Sequence, residues 1–519
     1  MGLQDVAFHV VPNCRGRPEH VGDGCQGEQV QIQAGHPVTD QALGLNQLVV
    51  ACGECTGHSS TLLFGAKRFI PACPPAIRTR GQMTDYRRIR VLWPDHLALA
   101  RGKYLPPHLL ERGTRHAMGV FALGYDRDMT PAPGVMMLEG FPDMECTIDP
   151  SAIRDGWEEG IGVVVGDLER EGVPVPFAPR NVLKEAVAAW ESLGYTPQVG
   201  IEFEAFVLQP DGEGGWGPYD CPGSFVYGTG PLNDPAGIAE AIHDVSDAVG
   251  FRLESANAEF DAAQFEFTLE YDDALAAADE AFLFKTMARD VAFEMGHLLT
   301  FLPRPLMDRG GSGLHVNLSL LDADGNNALL DPSAGNGLST LAMQCIAGQL
   351  HHLSAMSAIC APTVNSSKRL RPGQLSGYWK SWGYDHRCTT VRVNPERDAS
   401  TRLENRMPDA SATIHLAVAA VLTAARLGVE AGLECPGPET GDGLEEACTE
   451  EHVPDSLGGA LEALAEDQIF ATAIGQAFVD QFTAIKEVEL TRYLEAVGDE
   501  ASARDRVTDW ETAWYLPYL

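Results

Sequence analysis

The chain has 519 residues, 45% hydrophobic, 21% charged and 8% aromatic, a globular composition that excludes wholesale disorder, collagen-like repeats and coiled coil. Its formal charge of −36 repels nucleic acid and anionic lipid, so neither is expected as a partner. Apolar runs such as Ala417 to Ala425 stop well short of bilayer length, which argues against a membrane span, and 12 scattered cysteines point to a reducing, cytoplasmic compartment.

Residues 1–82 stand apart. Five cysteines (Cys14, Cys25, Cys52, Cys55, Cys73) fall there with six acidic and six basic residues, so the whole negative excess lies downstream. The pair Cys52 and Cys55 lacks the second pair that a zinc site needs. No basic start followed by an apolar run marks a signal peptide. Met83 to Trp93 reads at once as a strand, so the expectation is that Met83 is the true start. Residues 1–82 would then be a mis-called extension or a disordered arm.

From Arg87 to about Asp167, short apolar strands alternate with turns at Gly102-Lys103, Pro133-Gly134 and Asp149-Pro150, which predicts a small β-rich domain over 83–178. Pro176 to Arg180 reads as the junction. Beyond it, periodicity predicts helices over Asn181–Leu193, Ala236–Val249, Ala274–Leu299, Leu338–Ala358 and Ser411–Leu427, and a helical stretch from Leu457 to about Val497. Strands alternate with them. Leu433 to Pro454, acidic and rich in Gly and Pro, reads as a surface loop. The class is α+β, a small β domain before a large mixed one over 179–519.

The informative feature is a set of ionisable side chains at strand parity. In Ile201-Glu202-Phe203-Glu204 the two carboxylates share one face, and Ile201 and Phe203 take the other. In Leu314 to Leu320, His315, Asn317 and Ser319 line one face against apolar neighbours. Phe265-Glu266-Phe267 repeats the theme, with Glu259 upstream across a turn, and Arg402, Glu404 and Arg406 alternate likewise. One such strand alone reads as half exposed to water. Several together, built from Glu, His and Arg, suit a site for polyphosphate and divalent cations: Mg²⁺ or Mn²⁺ takes carboxylate oxygen and imidazole, and Arg neutralises a phosphoryl group in flight. Gly310-Gly311-Ser312-Gly313 leads into a strand and not a helix, so it is no P-loop; its glycines let a substrate approach the backbone. Lys368, Arg369, Arg387 and Arg392 place four cations within 25 residues of a very acidic chain, a group expected to meet an anion. Arg387 and Arg392 differ in strand parity, so a bulge or a strand start must intervene if both reach one ligand.

With these residues in hand, the chain from Met83 to Leu519 resembles the glutamine synthetase family over nearly its whole length. The matching blocks, in the family's order, include Arg101-Gly102-Lys103, Phe141-Pro142-Asp143, the Glu202/Glu204 strand, Glu259 through Gln264 to Glu266, and Gly311-Ser312-Gly313-Leu314-His315. Asn365 to Leu370, His386-Arg387, Arg402 to Arg406 with Pro408-Asp409, and Val453 to Leu457 follow. The resemblance implies a β-grasp domain packed on a catalytic domain whose curved antiparallel sheet forms a funnel backed by helices. It also implies homo-oligomeric rings, commonly dodecamers, each site completed by a neighbour's N-terminal domain. The implied activity is ATP-dependent joining of glutamate or a similar acid to an amine through an acyl phosphate, with two or three Mg²⁺ or Mn²⁺ per site. One metal would sit on Glu204, Glu259 and Glu266, another on Glu202, His315 and Glu404. Arg369 and Gly311 would hold the amino acid, Arg387 and Arg392 the ATP phosphates, and Arg406 the transferring phosphoryl group and the substrate carboxylate.

Departures concern the substrates. Glutamine-forming members carry a flap Glu, in a Gly-x-Glu-Ala-Pro setting, where this chain reads Gly373-Gln374-Leu375. The Asn that opens the family's glycine turn reads Gly310, and the N-terminal Asp-Gly-Ser-Ser motif is missing, with Asp126 and Asp128 as nearby candidates for its Asp. Leu375 removes a charge and a base, and Tyr378, Trp379 and Trp382 lie close in sequence, so an organic amine is favoured over ammonium. An alkylamine, ethanolamine or polyamine fits. Glutamine synthesis with ammonium is the alternative, followed by an inactive structural or regulatory descendant and a guanidino-type phosphotransferase. The family's adenylylation tyrosine has no match in Glu445 to Glu450, so that control is not expected.

Overall fold

The computed structural model describes residues 86–519, which lie within one compact unit. The readings made for residues 1–82 and for a start at Met83 fall outside them. Strands β1 (Arg88–Pro94) and β2 (Ala100–Leu105) pair antiparallel; β3 (Thr114–Ala117) pairs with β4 (Asp143–Thr147). β5 (Ile161–Val165) runs parallel to β1, and β6 (Asp167–Arg170) pairs with β4, giving two four-stranded sheets. Gly102-Lys103 is not a turn: it lies inside β2, and the reversal falls at Asp95 to Leu99, where the Asp95 carboxylate accepts the Leu97 and Leu99 amides. This segment is sewn to the remainder by Thr413, whose hydroxyl donates to the Asp95 carbonyl and accepts the Ala98 amide, and by Gln481, which donates to the Phe121 carbonyl.

Helix α1 (Pro179–Ser192) opens with Pro at its first position, where the missing N–H costs nothing. It leads into β7 (Thr196–Pro210), the long central strand. After α2 (Ile238–Val249) come β8 (Leu253–Ala258) and β9 (Gln264–Leu269), then α3 (Ala274–Glu294). The helix expected to Leu299 stops at Glu294 because the chain turns at Gly296 (φ 79°), and Leu298–Thr300 pairs with β7 instead. β10 (Leu314–Leu321), α4 (Thr340–His351), α5 (Leu353–Cys360), β11 (Trp382–Tyr384), β12 (Val391–Val393) and β13 (Leu403–Asn405) follow. α6 (Ile414–Glu430), α7 (Leu457–Glu466), α8 (Gln468–Val497) and α9 (Asp509–Tyr515) close the chain.

Seven strands form the main sheet in the order β8-β9-β7-β10-β13-β12-β11, with three shorter strands against β7. Every pair along that order is antiparallel except β11 with β12. Helix α6 is apolar nearly all round and buried along most of its length, packed between α4 and α1. Among the described residues no helix is long and apolar enough to cross a membrane.

Candidate active site

Cross-strand register builds the site. Glu202 and Glu204 stand two apart on β7, so both side chains leave on one face. Glu266 of β9 lies opposite Glu204, and His315 of β10 opposite Glu202. Beyond β10, Asn317 faces Glu404 of β13, which also faces Arg392 of β12. Phe203, Phe265, Phe267, Val316 and Leu318 fill the other face as core. One polar row thus crosses five strands, with a back that is apolar except for Asn405 of β13, which donates to Gln349.

His315 ties the carboxylates together. Its Nδ1 lies 3.1 Å from Glu202 Oε2 and 3.7 Å from Glu404 Oε1, and its Nε2 lies 3.5 Å from Glu204 Oε1. That Nε2 is buried and has no hydrogen-bond partner, a costly state unless a ligand takes it. Two groups bring their ligand atoms within 4.8 Å of one another: Glu202 with His315 and Glu404, and Glu204 with Glu266 and His315. Carboxylate oxygens with one imidazole fit Mg²⁺ or Mn²⁺. Glu259 stands outside both groups, accepting the Phe260 amide at 2.8 Å and sharing a hydrogen bond with Glu266.

The arginines line one side. Arg392 donates to Glu404 Oε2 at 2.7 Å and also to Asp385, a partner that sequence spacing did not single out; Arg406 donates to Glu404 Oε1. Arg387 is exposed in the loop between β11 and β12, with no ion pair among the described residues. The strand start required between Arg387 and Arg392 is the start of β12. Arg369 is buried, donating to the carbonyls of Met407 (2.8 Å) and Arg406 (3.0 Å). A Cβ on Gly311 would come within 2.6 Å of Arg369 Cγ, and one on Gly313 within 2.7 Å of its Nη2. Glycine is what lets this arginine lie along the turn.

Residues 176–515 match the sequence profile of "Glutamine synthetase, catalytic domain". The chain belongs to the glutamine synthetase family. It is 32% identical to the gamma-glutamylethanolamide synthetase GlnA4 of Streptomyces coelicolor, over 82% of this chain and 92% of that one. Identity with the glutamine synthetase of Halobacterium salinarum is 29%, over 82% and 93%. The fold matches a solved GmaS/ADP complex with a TM-score of 0.70 at 29% identity, over 83% of this chain and 97% of the other. Members of the glutamine synthetase family are ATP-dependent glutamate–amine ligases that use divalent metal ions, and this chain is such a ligase.

Electrostatics divide the glutamates. Burial, then the charges of Glu259, Glu202 and Glu204, push the Glu266 carboxyl up to about 9. Glu259 is raised by burial and by Glu204. Burial also works to raise Glu404, yet Arg406, His315 and Arg392 together hold it at about 2. A cation needs the ionised carboxylate, so loading the Glu266 side at neutral pH must release a proton. Mn²⁺ affinity is therefore expected to rise about tenfold per pH unit above 7 and to level off near 9. Calorimetric titration in two buffers of different ionisation enthalpy checks it; affinity flat from pH 7 to 9 would mean that Glu266 is already ionised.

Several residues singled out in the sequence face elsewhere. Lys368 does not join an anion site: it is buried against Glu511 and donates to the Arg506 carbonyl at 2.6 Å. Asp126 and Asp128 both pair with Arg492 of α8. Tyr378 and Trp382 are buried, and all three aromatics donate hydrogen bonds to the 433–455 segment, at Asp455, Leu444 and Pro436. They pin that segment. Leu375 alone of this stretch's large apolar residues is well exposed, at 50%.

Proposed function

We propose that the chain joins the γ-carboxylate of glutamate to an organic amine such as an alkylamine, ethanolamine or a polyamine. The observation that supports this most is Leu375, exposed on the segment after Arg369 where glutamine-forming members present a carboxylate. An ammonium site needs anionic oxygens around a small cation; an apolar side chain suits the carbon of a larger amine. A gamma-glutamylethanolamide synthetase among the relatives supports the same reading.

In this reading ATP first phosphorylates the substrate: a γ-carboxylate oxygen attacks the terminal phosphorus and ADP leaves. The amine then attacks the acyl carbon, phosphate departs and the nitrogen loses a proton. Arg369, beside Gly311, binds the α-carboxylate. Arg387 and Arg392 hold the ATP phosphates, and Arg406, beside Glu404, faces the phosphoryl group in transfer. Glu202, Glu204, Glu259, Glu266, His315 and Glu404 hold two or three Mg²⁺ or Mn²⁺, which offset the charge of two anions brought together. The two sheets before α1 constitute the β-grasp domain, and a homo-oligomeric ring, commonly a dodecamer, completes each site from a neighbouring copy.

Phosphate release from ATP with glutamate and a panel of amines, with and without Mg²⁺ or Mn²⁺, tests the reading. Metal-dependent activity with an organic amine and little with ammonium is expected. Ammonium-only activity would restore glutamine synthesis, which most of the similar curated relatives perform by name. Leu375→Glu is expected to raise ammonium use relative to the organic amine by about tenfold, the worth of one charge-assisted hydrogen bond.

A further inference from the structure

Asp261 belongs to none of the metal-binding groups and has no ion pair among the described residues. It follows the β8 strand on the connection to β9, half-buried, and its Oδ2 accepts the amide of Gly310. A Cβ on Gly310 would come within 3.0 Å of that oxygen and 3.7 Å of Gln264 Oε1, so the carboxylate occupies the space a side chain there would need. Gln264, buried, fixes the same turn by donating to the Gly311 carbonyl at 3.0 Å and to the Ser312 hydroxyl at 3.4 Å.

The two charges on this turn are therefore opposite. Asp261 sits at Gly310 and the Arg369 guanidinium at Gly313. Three residues of chain span at most about 10 Å. An α-amino acid with a charge-assisted hydrogen bond of about 2.8 Å at each end bridges roughly 8 Å. We infer that Asp261 holds the α-ammonium of the acid substrate, so that Arg369 and Asp261 clamp its zwitterionic end along the glycine turn. This rests on the assignment of Arg369 to the α-carboxylate. Arg304 feels the Asp261 charge without forming an ion pair with it, so an ammonium held there would be the carboxylate's direct cationic partner.

The test compares glutamate with glutarate, the same diacid without the ammonium, by calorimetric binding to the wild-type chain and to Asp261→Asn. The same proteins are assayed for phosphate release with the amine panel. Asn keeps an acceptor for the Gly310 amide and removes the charge, so a purely structural role predicts no change. The expected result is glutamate binding weakened about tenfold or more, while glutarate binding holds or tightens and the amine KM stays put. Unchanged glutamate binding, or an equal loss for both acids, overturns the clamp. A wild type silent across the amine panel would sink the ligase reading, yet the binding ratio would still judge Asp261.

Discussion

Glu404→Ala is expected to lower turnover at least a hundredfold and to weaken Mn²⁺ binding, without unfolding the chain. Its carboxylate is buried, sits 3.7 Å from His315 Nδ1 and accepts from both Arg392 and Arg406. Removing it deletes a cation ligand, takes from Arg406 the carboxylate it donates to and leaves Arg392 with Asp385 alone. Loss of one preorganised electrostatic contact costs about 10²–10³ in turnover, and here a ligand goes too. The stranded Arg406 should also lower the melting temperature, and ADP with Mn²⁺ should recover part of that loss, since phosphate oxygens replace the missing anion. Phosphate release at saturating ATP, beside melts with and without nucleotide, measures both. Turnover within tenfold of wild type would remove Glu404 from the machinery.

Much of this site was legible because a strand writes its faces into the sequence at period two. Glu202/Glu204, His315/Asn317 and Glu266 could each be placed on a polar face with phenylalanine or leucine behind, and register later joined them. Register itself was not readable, since residues that stand opposite, such as Glu202 and His315, are 113 positions apart and nothing local fixes which ones meet. Arg392 could be assigned to the phosphate-binding group, but its contact with Asp385 depends on a turn whose residue Asp385 takes φ 49°.

The misreadings share a cause. Lys368 looked like an anion ligand because its neutralising partner is 143 positions away. The apolar run Ala274 to Leu299 looked like one helix because composition does not say that Gly296 turns the chain into a strand. Asp261 escaped notice altogether: its only signal was an acidic residue two places after Glu259, and the contact with Gly310 exists only in the folded chain.

The second large effect is expected at Lys368, far less through chemistry than through anchoring. Lys368 and Glu511 are essentially without exposure, and the Glu511 carboxylate also accepts the Thr508 amide and hydroxyl and the Asn365 amide, each at 2.8 Å. Asn365 in turn accepts the Arg304 amide at 2.7 Å. Helix α9 thus pins the Ser366–Arg369 turn that presents Arg369. Lys368→Met leaves a buried carboxylate without its cation, so a loss of about 3–5 kcal/mol is expected by urea unfolding. Adding Glu511→Leu should return part of it, because the stranded charge is gone, and the two changes should not be additive. If the turn loosens as argued, KM for glutamate rises in Lys368→Met more than kcat falls, although the lysine touches no substrate. A loss below about 1 kcal/mol, with KM unchanged, would show that the pair neither holds α9 nor positions Arg369.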